Sequence, residues 1–93
     1  MSKRDQELIC WFREVLKVSQ VDLQRILNLT EPQLYSGVRR KYDYFQPYEF
    51  AKLIAFLDEH DKVKSKLLRL KIEKDFWDFD LSEIEKAAEY PKQ

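Results

Sequence analysis

Val18-Ser19-Gln20-Val21-Asp22-Leu23-Gln24-Arg25-Ile26-Leu27-Asn28-Leu29-Thr30-Glu31-Pro32-Gln33-Leu34 reads as two short helices and the turn between them. Ser19 stands at an N-cap, where a hydroxyl accepts an orphan backbone N–H, and Asp22 three residues on suits the positive end of the same helix. Leu23, Ile26 and Leu27 make one apolar face, so the spacing predicts a helix over 20–27. Asn28 follows the last apolar pair, and Asn is the non-glycine residue that best tolerates a left-handed, helix-ending backbone. Thr30 is a second N-cap, and Pro32 falls in the first turn of the next helix, where a missing N–H does no harm. A third helix is expected from about residue 31, carrying Leu34 and Val38 inward.

Outward from this pair, Leu8, Ile9, Phe12, Val15 and Leu16 recur at helical spacing over 5–17, with Trp11 flanking the stripe. Cys10 is expected there as a small buried residue. Residues 39–45 lack a helical period; Arg39, Arg40 and Lys41 are followed by Tyr42, Tyr44 and Phe45, of which Phe45 belongs in the core. Pro47 opens a helix over 47–59, with Phe50, Leu53, Ile54 and Leu57 on one face. Past residue 61 two periods compete. Val63, Leu67 and Leu70 fit a helix, whereas Leu68, Leu70 and Ile72 alternate with Arg69, Lys71 and Glu73 as a strand would; the Lys and Leu content favours helix. Asp80 with Glu83 caps a last helix that runs to about residue 90 through Leu81, Ile84, Ala87 and Ala88.

Ninety-three residues suffice for one compact domain and not for two cores. A 44% hydrophobic share with one Gly and three Pro marks an ordered, helical chain. The expected fold is all-α, a compact four- to five-helix helix-turn-helix domain over 1–60. A C-terminal helical extension over 61–93 packs on it or mediates self-association. No stretch reads as a signal peptide or a membrane span, so the expected compartment is the cytoplasm and no membrane partner is expected.

Equal numbers of Lys/Arg and Asp/Glu, 17 each, conceal a mild asymmetry. Residues 1–52 carry nine cations against seven anions, and 53–93 carry eight against ten. Arg39-Arg40-Lys41 is a basic spot, while Glu73 to Glu89 holds seven acidic residues beside Lys74 and Lys86. One His, one Cys and one Gly leave little for a nucleophile with its base, a phosphate loop or a thiolate metal site; the reading is non-enzymatic, with no cofactor. His60 has no cysteine or histidine partner, and Asp75, Asp78, Asp80 and Glu83 lack the glycine and spacing of a calcium loop.

Val18-Ser19-Gln20, Leu23, Leu27, Leu29, Thr30 and Leu34 resemble the helix-turn-helix of the Cro and lambda-type phage-repressor family, also called the xenobiotic-response-element family. The likeness extends through Phe45-Gln46-Pro47-Tyr48-Glu49-Phe50-Ala51-Lys52-Leu53, which looks like the loop and fourth helix of small phage Cro-like regulators, and covers about residues 5–58. It implies that Gln20 touches a phosphate and braces Glu31, the first exposed residue of the third helix. It further implies that Pro32, Gln33, Tyr35, Ser36 and Arg39 line the groove-facing side, with Gln33 suited to adenine, Ser36 to several bases and Arg39 to guanine or phosphate. Arg40 and Lys41 would hold the backbone.

The expected function is a DNA-binding transcriptional regulator, a repressor of phage or mobile-element type, acting on double-stranded DNA as a homodimer. Its alternative is a protein-binding module, an antirepressor or inhibitor that grips a protein partner with the same helical surface and the acidic segment from Asp75 to Glu89.

Overall fold

The computed structural model describes the backbone of residues 3–36 and 45–89, and the side chains of 6–34 and 45–89. Among these residues there are six α-helices and no strand: α1 (Lys3–Glu14), α2 (Gln20–Leu27), α3 (Glu31–Ser36), α4 (Pro47–His60), α5 (Lys62–Asp75) and α6 (Leu81–Ala88). By packing they divide into two units, Met1–Gln46 and Pro47–Gln93. The division after residue 60 drawn from the sequence is one of motif and extension; by packing, α4 goes with α5 and α6.

In the first unit, Leu8, Ile9 and Phe12 of α1 are buried together with Leu16, Val18, Leu23, Leu27, Leu34 and Phe45. The Phe12 and Phe45 rings meet edge to face at 6.2 Å, so Phe45 is core as expected. Helix α1 stops at Glu14, short of the expected residue 17. The chain leaves it through Lys17 in a left-handed conformation, φ 55°, while the Val18 N–H donates to Phe12 O at 3.0 Å. That exit turns Leu16 and Val18 inward and Val15 outward, which corrects the placing of Val15 on the buried stripe. Cys10 is also exposed, contrary to expectation. At about 100° per residue it points away from the face that Leu8, Ile9 and Phe12 share.

Two local devices hold α2 and its turn. The Ser19 hydroxyl accepts the Asp22 N–H at 3.1 Å, while the Asp22 carboxylate takes the Arg25 guanidinium at 2.9 Å. Asn28 is left-handed, φ 56° and ψ 50°. Its N–H donates to Arg25 O and the Leu29 N–H to Gln24 O at 2.9 Å, the paired bonds of a Schellman ending. Thr30 then caps α3, its hydroxyl accepting the Gln33 N–H at 3.3 Å.

In the second unit α4 buries Phe50, Ala51, Leu53, Ile54 and Leu57 against α5 and α6, which contribute Leu68, Ile72, Ile84 and Ala88. Glu49 is buried in the first turn of α4, at the positive end of the helix. Residues 68–72 are helical: Leu68 and Ile72, four apart, are buried while Leu70 between them faces out. A single residue separates α4 from α5. Asp61 donates its N–H to Leu57 O at 2.7 Å and accepts from the Val63 and Lys64 N–H groups at 3.1 and 3.3 Å, ending one helix and capping the next. Past α5 the Phe76 and Phe79 rings pack on Phe50, with centroids 4.9 and 5.9 Å from it. Asp80 caps α6 through the Ser82 and Glu83 N–H groups, as its spacing predicts.

Arg69 joins all three helices of this unit. Its terminal nitrogens fork onto both Asp58 oxygens at 3.1 and 3.3 Å, and its Nε donates to Glu85 at 2.7 Å. The buried Ser65 hydroxyl donates to Asp58 and accepts from Arg69. The Arg69 hydrogen bonds, above all, hold the Asp58 carboxyl below its usual range and, with desolvation opposing, Asp58 raises the Arg69 pKa in turn. A carboxyl whose folded pKa is depressed stabilises the fold above its ordinary pKa, and that contribution disappears as pH falls through the folded value. Arg69→Ala should therefore lower the urea midpoint at neutral pH. The difference from wild type should shrink once the pH is brought below the carboxylate range, as far-UV circular dichroism can follow.

Candidate nucleic-acid interface

A compact reading head needs two helices held at a fixed angle by a turn too short to flex, and the Ser19 cap, the left-handed Asn28 and the Thr30 cap provide the ends of such a pair. Only Asn28, Leu29 and Thr30 lie between α2 and α3. Leu27 and Leu34 are buried on either side of that turn, so each helix is also anchored by packing.

Gln20 is the first residue of α2 and half-buried, and its side-chain nitrogen donates to Gln24 Oε1 at 3.1 Å. The resemblance directs that amide to Glu31; the bond found here runs one turn along its own helix. Glu31 is the first residue of α3 and exposed. An anion at that end is favourable for the helix and repulsive toward a phosphate backbone.

Gln33 has a role that the sequence reading missed. Its Oε1 accepts the Thr30 N–H at 2.9 Å while its own N–H donates to the Thr30 hydroxyl, which makes a reciprocal capping box. The oxygen that a bidentate adenine contact would use is thus engaged inside the protein. The signal was present as Thr30-Glu31-Pro32-Gln33, a Thr followed three residues later by a Gln. Tyr35 and Ser36 lie on α3, with side chains outside the described ones, and Arg39, Arg40, Lys41 and Gly37 lie outside the described residues altogether.

Elsewhere, His60 packs on the Phe56 ring at 4.3 Å, one turn away on α4. Among the described residues no three His, Cys, Asp or Glu side chains converge as a metal site. No helix there is long and apolar enough to cross a membrane. A groove of about 370 Å³ in the second unit is lined by Asp58, Glu59, Arg69, Glu85 and Glu89, and its one cation is already saturated by Asp58 and Glu85. In comparisons with known families, curated proteins and solved structures, nothing matches this chain.

The capping box makes Gln33 a residue of stability first. Thr30→Ala and Gln33→Ala should each cost about 1 kcal/mol in urea titrations without any ligand. Gln33→Glu keeps the acceptor oxygen and should leave the midpoint nearly unchanged.

Proposed function

We propose that this protein is a DNA-binding transcriptional regulator of the phage or mobile-element kind, resembling the Cro and lambda-type repressors, in which α3 enters the major groove of double-stranded DNA and α2 braces it. The observation that carries this reading is the α2–turn–α3 unit, with both helices capped and a left-handed Asn28 between them. In this reading Gln20, Gln33, Tyr35, Ser36 and Arg39 line the DNA-facing side and Arg40 and Lys41 grip phosphates. The protein works in the cytoplasm as a homodimer joined through the segment after Asp61, without catalysis or a cofactor. Dimerisation supplies the affinity that one short helix lacks, because paired half-sites add their binding energies.

The exposed Glu31 and the absence of net charge favour a second reading, a protein-binding module that grips a partner protein with the same surface. A mobility shift on random and operator-library duplex, titrated with salt, separates the two. Phosphate-driven binding should weaken steeply as salt rises, by about 0.9 of a log unit per contacted phosphate for each log unit of salt. Absence of any shift at low salt would end the DNA reading. Replacing Arg39, Arg40 and Lys41 together with Ala should abolish the shift. Glu31→Gln, which removes an anion from the groove-facing end of α3, should tighten binding; weaker binding would mean that Glu31 reads a base amine instead.

A further inference from the structure

Helix α2 is flanked on both sides by a left-handed residue. Asn28 ends it at φ 56°, and Lys17, just before its Ser19 cap, has φ 55°. Any residue with a Cβ meets a penalty in that conformation, which asparagine eases and glycine escapes. Position 28 holds the asparagine. Position 17 holds a lysine, whose long side chain has no such local device.

What the fold takes from residue 17 is its backbone alone. The left-handed turn brings Leu16 and Val18 inward and closes the Val18 N–H on Phe12 O at 3.0 Å. The Lys17 side chain is exposed, and among the described residues it forms no hydrogen bond or ion pair, Glu14 one turn earlier included. A cation near the end of α1 favours that helix, but Arg13 already stands in its last turn. On α2 itself the Arg25 guanidinium is taken by Asp22 at 2.9 Å. Lys17 therefore presents an ammonium that the chain does not use, at a position where glycine would serve the backbone better.

Its place says which anion it meets. Lys17 is joined to Gln20, the α2 residue set against DNA in the proposed function, through Val18 and an extended Ser19, a span of at most about 11 Å. An ammonium on a flexible four-carbon stem is a compact point charge suited to phosphate and blind to sequence. We infer that Lys17 grips a DNA phosphate beside the start of α2. This inference rests on the DNA reading and adds to it a grip at the end of the motif opposite, in sequence, to Arg40 and Lys41. Two phosphate grips on either side of α2 and α3 fix the tilt of α3 in the groove, which one alone leaves free.

Mobility shifts of the full chain on a random-sequence duplex, titrated with salt, test it. Lys17→Asn and Lys17→Gly, which suit the left-handed backbone and remove the charge, should each weaken binding severalfold at low salt. Each should also lower the slope of log affinity against log salt by about 0.9. Lys17→Arg should keep the slope. Lys66→Asn, the same loss of charge at an exposed position of α5, should keep it as well. In urea without DNA, Lys17→Gly should be at least as stable as the wild type. A wild-type slope in both Lys17→Asn and Lys17→Gly overturns the contact and leaves the DNA reading standing. A slope lowered equally by Lys66→Asn overturns it in favour of net charge, and a lowered urea midpoint with an unchanged slope makes Lys17 a helix-ending charge of α1. A wild-type chain that shifts no duplex at low salt overturns the DNA reading, and this contact with it.

Discussion

The left-handed backbone of Asn28 is the constraint on which the first unit depends. An L-residue with a Cβ adopts that conformation at a cost, and here the cost is offset by the N–H groups of Asn28 and Leu29 closing back on Arg25 and Gln24. Once the chain has reversed there, Thr30 is in place to cap α3, and Gln33 returns the favour by accepting the Thr30 N–H. Every orphan group at the turn that these residues satisfy is satisfied locally, so the turn stays short and Leu27 and Leu34 remain buried on either side of it.

The second unit solves the same problem with carboxylates. Asp61 alone ends α4 and starts α5, and Asp80 starts α6, its carboxyl held below the usual range chiefly by the Ser82 hydroxyl. Apolar contact among Phe50, Phe76, Leu68, Ile72 and Ile84 supplies most of the cohesion, while the Arg69 fork ties Asp58 of α4 and Glu85 of α6 to α5. Its groups are partly exposed, so its contribution to stability is modest beside that of the apolar core.

What was legible in the sequence follows the range of the interactions involved. Ser19, Asn28, Thr30, Pro47 and Asp80 were readable because a cap is decided within four residues. The stretch 68–72 was ambiguous because Leu68, Leu70 and Ile72 satisfy both periods; what separates helix from strand is that Leu70 faces water while its neighbours on the apolar face do not. Val15 was misplaced because α1 ends at Glu14, and nothing in the local pattern announces a left-handed Lys17, whereas Cys10 lies within α1 at a helical phase opposite Leu8 and Phe12. Asp58, Ser65, Arg69 and Glu85 come from three helices, and their meeting is a product of tertiary packing with no local signature. At the candidate interface, the bond from Gln20 to Gln24 and the one that Gln33 accepts from Thr30 add to what the resemblance implies, and only the second had a local signal, the Thr30-to-Gln33 spacing of a capping box.

That engagement has a consequence for the proposed DNA-binding reading. A residue that caps its own helix can leave the cap for a base only by giving up about as much energy as a good base contact returns, so Gln33 is a poor discriminator even where it touches DNA. Glu31 at the same end opposes phosphate. Base discrimination then moves to the second turn of α3 and beyond, to Tyr35, Ser36 and Arg39, while affinity falls to the sequence-independent grip of Arg40 and Lys41. A reader so organised separates sites weakly when it acts alone, because phosphate contacts strengthen right and wrong sequences equally. Two copies held at a fixed spacing restore the difference, since a site must then present both half-sites at the correct separation. Under this reading, the weaker the discrimination by one α3, the more of it must come from the geometry of the pair.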